Sequence, residues 1–244
     1  MHKTIYVTGI TGFIGSNLLA HLLLKYQKVI NFTRNSTIQI FEQNKLEEFD
    51  ISEDFIQQNP SNILINLATL YQPRPNSVGE SENLVEANIL FPARVLNTLA
   101  TLDNLKIINA LSYHQLLDFP TQNVYSLSKE LFSKFLEYQS FEIVSLYIFD
   151  TFGSRDTRNK VVDIFIKNIL SGNPINIPVN EVKINLADVQ PICCSLIKSI
   201  NLKHGSYSLV SPDTLSLEAL ARAIMNISNT EVELVRSNIG SNYF

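Results

Sequence analysis

Tyr125 and Lys129 lie four positions apart in the run Val124-Tyr125-Ser126-Leu127-Ser128-Lys129. That spacing puts both side chains on one face of a helix. A phenol titrates at about 10 and is a poor acid–base group at neutral pH until a nearby ammonium stabilises its phenolate. A second group of residues opens the chain. The short apolar run Thr4-Ile5-Tyr6-Val7 leads into Thr8-Gly9-Ile10-Thr11-Gly12-Phe13-Ile14-Gly15, and an apolar helical pattern begins at once. Glycines at two-residue spacings between a strand and a helix build a tight turn. They let backbone approach a pyrophosphate and leave helix N–H groups aimed at it. The two groups point to proton transfer beside a bound dinucleotide.

The end of the second strand discriminates between cofactors. An NAD enzyme usually carries an Asp or Glu there for the adenosine ribose hydroxyls. Here the run is Val29-Ile30-Asn31-Phe32-Thr33-Arg34-Asn35, with an arginine and no acid. A guanidinium matches a 2′-phosphate that a carboxylate would repel, which favours NADP (as NADPH). NAD stays open, with Arg34 then a solvated loop charge.

Strand-like and helix-like segments alternate around these residues. Strands are expected at 3–8, 28–33, 61–68, 105–110 and 142–149, and helices at 13–26, 80–101 and 123–139. The strands are continuous apolar runs, the pattern of a parallel sheet covered on both faces. Repeated βα units with a glycine-rich first turn predict an α/β fold, a doubly wound parallel sheet of the Rossmann type, over residues 1–150. Beyond 150 the pattern loosens into a smaller lobe, 151–244. It contains helices at 161–170 and 216–227, a late strand near 205–210 that returns to the sheet, and a tail from 237.

Composition narrows the function classes. A net charge of −4 and the lack of a basic run argue against a nucleic-acid surface. No apolar stretch reaches the roughly 18 residues of a membrane span, and the N-terminus lacks a signal-peptide layout, so the expected location is the cytoplasm. Cys193 and Cys194 are adjacent and His2, His21, His114 and His204 are scattered, so no metal site is expected. The cysteines read as small buried apolar residues on a helix.

The G-x-x-G-x-x-G turn and the Tyr-x-x-x-Lys pair resemble those of the extended short-chain dehydrogenase/reductase family, the NAD(P)-dependent epimerase/dehydratase group acting on nucleotide sugars. Weaker matches cover most of the chain. Asp50-Ile51 sits where that family places an acid against the adenine. Asn66-Leu67-Ala68-Thr69 resembles its fourth-strand motif beside the nicotinamide-side cofactor path, and Asn88 the asparagine of its long fourth helix. Phe149-Asp150-Thr151-Phe152-Gly153 is similar to its Asn-x-Tyr-Gly-Pro loop, and Ala187-Asp188-Val189 to its late Asp-Asp-Val. The resemblance implies cofactor contacts from Gly9, Thr11, Gly12, Phe13, Ile14, Gly15, Thr33, Arg34, Asp50, Ile51, Leu67, Ala68, Thr69, Asn88 and Lys129. It implies that Tyr125 moves the sugar-hydroxyl proton while Lys129 holds the nicotinamide ribose and lowers the tyrosine pKa. A hydroxyl at the end of the fifth strand, here Ser112, would hydrogen-bond the reacting oxygen.

Tyr125 follows Ser112 by only thirteen positions, a short gap that looks like the CDP-abequose and CDP-paratose synthase subgroup, reductases of 4-keto-6-deoxy sugar nucleotides. Other residues depart from the family pattern. Tyr147 replaces a common arginine, Asp150 and Ser154 replace Asn and Pro, and the arginine near the late aspartate is missing, with Lys183, Arg155 or Arg158 as substitutes. An aspartate facing a diphosphate is repulsive unless a cation intervenes.

The function expected is NADPH-dependent reduction of a nucleotide-activated keto sugar in surface-polysaccharide sugar biosynthesis. An NAD-dependent epimerase on the same fold and a non-catalytic NADP-binding sensor are the alternatives. A dehydratase is disfavoured because Tyr113-His114 stands where an acid pair belongs. Family members often dimerise through the helices expected near 80–101 and 123–139; Leu131, Phe132, Phe135 and Leu136 could line such a face, with burial in the chain's own core the plainer reading.

Overall fold

The computed structural model describes residues 2–43, 45–117 and 123–237; the expected tail at 238–244 lies outside them. In chain order the first half contains β1 (His2–Thr8), α1 (Phe13–Leu23), β2 (Tyr26–Phe32), β3 (Thr37–Glu42), β4 (Lys45–Asp50), α2 (Glu53–Gln58) and β5 (Ile63–Asn66). A continuous helical run follows as α3 (Val78–Val85), a π-helical turn (Glu86–Leu90) and α4 (Phe91–Thr98). Then come β6 (Lys106–Ser112), a 3₁₀ turn (Tyr113–Leu116), α5 (Val124–Glu137) and β7 (Glu142–Ile148). The remainder is β8 (Asp150–Phe152), α6 (Val161–Leu170), β9 (Ile175–Pro178), β10 (Lys183–Ile184), β11 (Leu186–Asp188), α7 (Val189–Ser199), β12 (Gly205–Leu209), β13 (Leu215–Ser216), α8 (Leu217–Ser228) and β14 (Leu234–Ser237).

The chain divides into two compact units. The first, residues up to Ile148 with Gln190–Leu209, is built on an eight-stranded sheet of order β12-β7-β6-β5-β1-β2-β3-β4. Six of its strands are parallel, and the late strand β12 pairs with β7 at one edge. Alternate residues of the central strands, among them Tyr6, Ile30, Leu64, Ile107 and Ile143, pack against Phe91, Val95 and Leu96 of α4 and Phe132 and Leu136 of α5. Each fully buried side chain of this size contributes about 1.5–3 kcal/mol. α7 lies against α1, with Gln190 Nε2 donating to Asn17 Oδ1 at 3.1 Å.

The sheet departs from an all-parallel one at its other edge. β3 runs antiparallel to β2, and β4 antiparallel to β3. Only residues 33–36 join β2 to β3, far too few for the crossover helix that a parallel partner needs. Ile38 and Ile40 face the core while Gln39 between them hydrogen-bonds Asn31 and Glu48, the alternation of a half-covered strand. The double reversal still returns Asp50 to the carboxyl edge of the parallel strands, beside Thr37.

The second unit comprises Phe149–Val189 and the chain from Val210 onward. Its core joins Val161, Phe165 and Ile169 of α6 to Ile175 and Ile177 of β9 and to Leu217, Leu220, Ala221 and Met225 of α8. Three two-stranded ribbons, β8–β11, β9–β14 and β10–β13, frame it. No described helix is long and apolar enough to cross a membrane.

Two glycines of this unit separate backbone strain from crowding. Gly153 has φ +148°, and a Cβ there would lie 2.6 Å from Val189 Cγ1; Gly172 has φ +68° and open space around it. Gly172→Ala should therefore cost about 1 kcal/mol, the left-handed backbone alone. Gly153→Ala should cost about 2–5 kcal/mol, since the stiff valine must also yield. Urea unfolding of both variants checks the ranking.

Candidate functional site

The glycine turn is held by close backbone packing. Gly9 has φ +73°, and a Cβ there would lie 2.7 Å from the Ala68 amide nitrogen. A Cβ at Gly15 would overlap the Gly9 carbonyl oxygen and the Ile10 backbone. Gly12 donates its N–H to Gly9 O at 3.1 Å and is the N-cap of α1, bringing no side chain to cover the first turn. The Ile10 N–H donates to Asn31 Oδ1 of β2 at 3.2 Å. Thr8 Oγ1 accepts from the Ala68 N–H at 3.0 Å and donates to Asn66 Oδ1 at 2.6 Å, and Asn66 Nδ2 donates on to Asn109 Oδ1 at 2.9 Å. This chain of hydrogen bonds crosses β1, β5 and β6 and locks Leu67, Ala68 and Thr69 beside the turn. A bare helix N-terminus behind a glycine cradle fits a dinucleotide pyrophosphate.

Tyr125 and Lys129 occupy the buried face of α5, 7% and 4% exposed. Asn123 starts that helix by accepting the Ser126 N–H at 2.8 Å. Burial pushes the Lys129 ammonium down to about 8. α5 packs against β6 and the 3₁₀ turn that follows it. Ser112 is buried at the end of β6; its Oγ accepts the His114 N–H at 3.4 Å, and its N–H donates to Gln115 Oε1 at 2.9 Å. In the bond from His114 the hydroxyl acts as acceptor. His114 is buried with its ring stacked on Tyr113 at 4.2 Å.

Asn88 sits in the π-helical turn, a local widening that recurs at functional sites. Its Oδ1 accepts from Leu70 N at 2.7 Å and Thr69 Oγ1 at 3.2 Å; its Nδ2 donates to Ser128 Oγ at 2.8 Å and Leu70 O at 3.2 Å. All four positions of the amide are used on protein. These bonds make Asn88 a support of the loop after β5. Arg34 is exposed in the tight β2–β3 turn, where Thr33 Oγ1 meets Thr37 Oγ1 at 2.8 Å. Asp50 is exposed one strand farther from β1 than a single parallel third strand would put it, and Ile51 packs on the core.

Tyr71 is a participant that sequence reasoning missed. Its ring stands edge-on to that of Tyr125, centroids 5.0 Å apart and planes at 76°. The only signal was its place two residues past the Leu67-Ala68-Thr69 segment. Ser128, inside the Tyr-x-x-x-Lys motif, was passed over in the same way.

A family model described as the NAD dependent epimerase/dehydratase family matches residues 5–184. The chain belongs to that family. It is 25% identical to a CDP-abequose synthase of Yersinia pseudotuberculosis over 94% of this chain and 86% of that protein. It is 28% identical to a UDP-2-acetamido-2,6-beta-L-arabino-hexul-4-ose reductase of Pseudomonas aeruginosa, over 97% of this chain and 61% of that one. The fold matches UDP-glucose 4-epimerase of Thermotoga maritima with a TM-score of 0.80 at 18% identity, covering 98% of this chain and 87% of that one. As a member of the epimerase/dehydratase family the protein is an NAD(P)-dependent enzyme.

The departures from the family pattern after β7 have a local answer within the second unit. Asp150 is buried against Lys160, Nζ to Oδ1 3.4 Å. Arg158 chelates Asp156 and donates to Thr151 O at 2.8 Å. The aspartate thus stands with a cation beside it. Lys183 is solvent-facing and 3.7 Å from Glu181.

The buried Lys129 makes a signed prediction. An amine whose folded pKa is lowered is charged more readily in the unfolded chain, so it opposes folding below about 8. That handicap fades as pH rises from 8 toward 10.5. Lys129→Met should stabilise the ligand-free protein by up to about 3 kcal/mol at neutral pH, less near pH 10, and abolish turnover. Urea midpoints at the two pH values provide the check; an equal gain at both would contradict it.

Proposed function

We propose that this enzyme reduces the keto group of a nucleotide-activated keto sugar, a 4-keto-6-deoxyhexose, at the expense of NADPH. The observation that carries the reading is the buried Tyr125–Lys129 pair on α5 in a unit that also holds the glycine turn, with Arg34 and no acid after β2. The names of the two curated relatives, a CDP-abequose synthase and a UDP-sugar reductase, support the substrate class. The glycine turn and the first turn of α1 hold the pyrophosphate, Arg34 and Thr33 the 2′-phosphate, and Lys129 the nicotinamide ribose. Bound NADPH supplies the hydride. Tyr125 donates its phenolic proton to the carbonyl oxygen, and Ser112 polarises the same oxygen with its hydroxyl. Lys129 keeps its charge near the phenol, so the phenolate left behind is stabilised and re-protonates from solvent. Lys160, Arg155 and Arg158 are the cations proposed for the substrate diphosphate. The expected setting is surface-polysaccharide sugar biosynthesis in the cytoplasm.

NADPH oxidation against CDP-, dTDP- and GDP-4-keto-6-deoxy sugars tests this reading. Turnover should appear on at least one, Tyr125→Phe should lose it by about 10²–10⁴-fold with NADPH binding kept, and Arg34→Ala should weaken NADPH by about tenfold while sparing NADH. Tightly retained NAD⁺ with interconversion of sugar nucleotides and no net NADPH use would make it an epimerase instead. Absence of turnover across the panel with NADPH bound would make it a sensor.

Self-association is part of the same proposal. Val85 and Leu90 on the α3–α4 run and Leu127, Leu131 and Phe135 on α5 are large apolar side chains exposed by 42–50% on neighbouring helices. Two copies of this face would bury each other. Light scattering should give a dimer mass for the parent chain and a monomer mass for Leu131→Glu.

A further inference from the structure

Tyr71 is the residue of the first unit whose placement calls for an explanation. Its ring meets Tyr125 edge-to-face at 5.0 Å, and it follows a residue held at both of its peptide groups. The Leu70 N–H donates to Asn88 Oδ1 at 2.7 Å and the Leu70 carbonyl accepts from Asn88 Nδ2 at 3.2 Å, a clamp on the backbone immediately before Tyr71. The same Asn88 Nδ2 donates to Ser128 Oγ, which donates to the carbonyl oxygen of Tyr125 itself at 2.7 Å. Asn88 is 1% exposed and Ser128 4%, so the clamp is dry. One amide therefore sets the backbone on both sides of the ring pair. Helix geometry fixes where Tyr125 leaves α5, but its side-chain torsions are set by what its ring packs against. Edge-to-face aromatic contact at this separation is directional.

We propose that Tyr71 is a positioning residue that holds the Tyr125 ring in its proton-donating orientation, with Asn88 and Ser128 fixing the two backbones that carry the pair. It rests on the reading of Tyr125 as the proton donor. The ring contact carries the positioning. A displacement of about 1 Å at a reacting group is enough to cost about 100-fold in rate.

The test compares Tyr71→Phe with Tyr71→Leu in the full chain, using NADPH and the keto-sugar nucleotide that the parent turns over. Tyr71→Phe should stay close to the parent rate. Tyr71→Leu should lose about 10- to 100-fold in kcat with NADPH affinity, read by nicotinamide fluorescence, unchanged. A second reading needs no sugar substrate: the ultraviolet titration of the Tyr125 phenol, taken as the difference between each variant and its Tyr125→Phe counterpart in the presence of NADP⁺. Its midpoint should move by about half a pH unit or more in Tyr71→Leu, as the environment of the phenol changes, and stay in place in Tyr71→Phe. Parent-like kcat and titration in Tyr71→Leu would overturn the proposal. So would an equal loss in Tyr71→Phe, which would give the hydroxyl a role of its own. If the parent turns over nothing on the panel, the reductase reading fails, and the titration alone decides whether Tyr71 governs Tyr125.

Discussion

The contact between Gly9 and the backbone of Ala68 is the constraint on which the site depends. A turn at the end of β1 can approach the end of β5 this closely only without a Cβ at Gly9, where one would lie 2.7 Å from the Ala68 nitrogen. The Ala68 N–H then reaches Thr8 Oγ1, and Thr8, Asn66 and Asn109 carry that hydrogen bond across three strands. With Ala68 fixed, the chain leaves β5 along one path, through Thr69 and Leu70 to the Asn88 amide and on to Tyr71. The glycine turn and Tyr125 are thus joined by one run of hydrogen bonds and a ring contact. On the proposed function, cofactor binding and proton transfer would share that frame.

Electrostatics in the site run against stability. Lys129 is an amine with 4% exposure, its ammonium held down to about 8 by burial. Desolvation of that kind is tolerated where a ligand supplies the missing partners. Ribose hydroxyls and a developing phenolate are such partners, and their arrival would push the amine back toward its charged form. On the proposed function, that unfavourable solvation lies where the reaction would develop negative charge.

Much of this was legible before any coordinates. Glycine spacing, the continuous apolar strands and the i, i+4 Tyr–Lys pair each follow from local rules, and β1, β6, α5 and β12 stand where those rules put them. The failures share a cause, a dependence on partners remote in sequence. Residues 37–50 carry an alternation that suits β-strands, but charged residues such as Glu47, Glu48 and Asp50 mask it, and it becomes a hairpin only because Asn31, Gln39 and Glu48 find one another. The π-helical turn leaves no mark in composition. It carries Asn88, whose amide reaches both Leu70 and Ser128. Tyr71 has no motif around it at all; its ring contact with Tyr125 is made across 54 positions of chain.

The β2–β3 reversal has a consequence for cofactor choice. In a βαβ unit the residue after β2 begins a crossover and its direction depends on where the next helix packs. Here residues 33–36 close directly onto β3, with the Thr33 N–H donating to Thr37 O at 2.9 Å and Ser36 at φ +59°. A four-residue turn pinned at both ends by sheet pairing has little freedom, so Arg34 projects from a fixed point at the carboxyl edge of β2 and not from a mobile loop. Glu86, on the π-helical turn, feels both Arg94 and Arg34, and their positive charges hold its carboxyl below the usual range. Glu86 is itself paired with Arg94. On the proposed reading, Arg34 is the group that would meet the 2′-phosphate of NADPH.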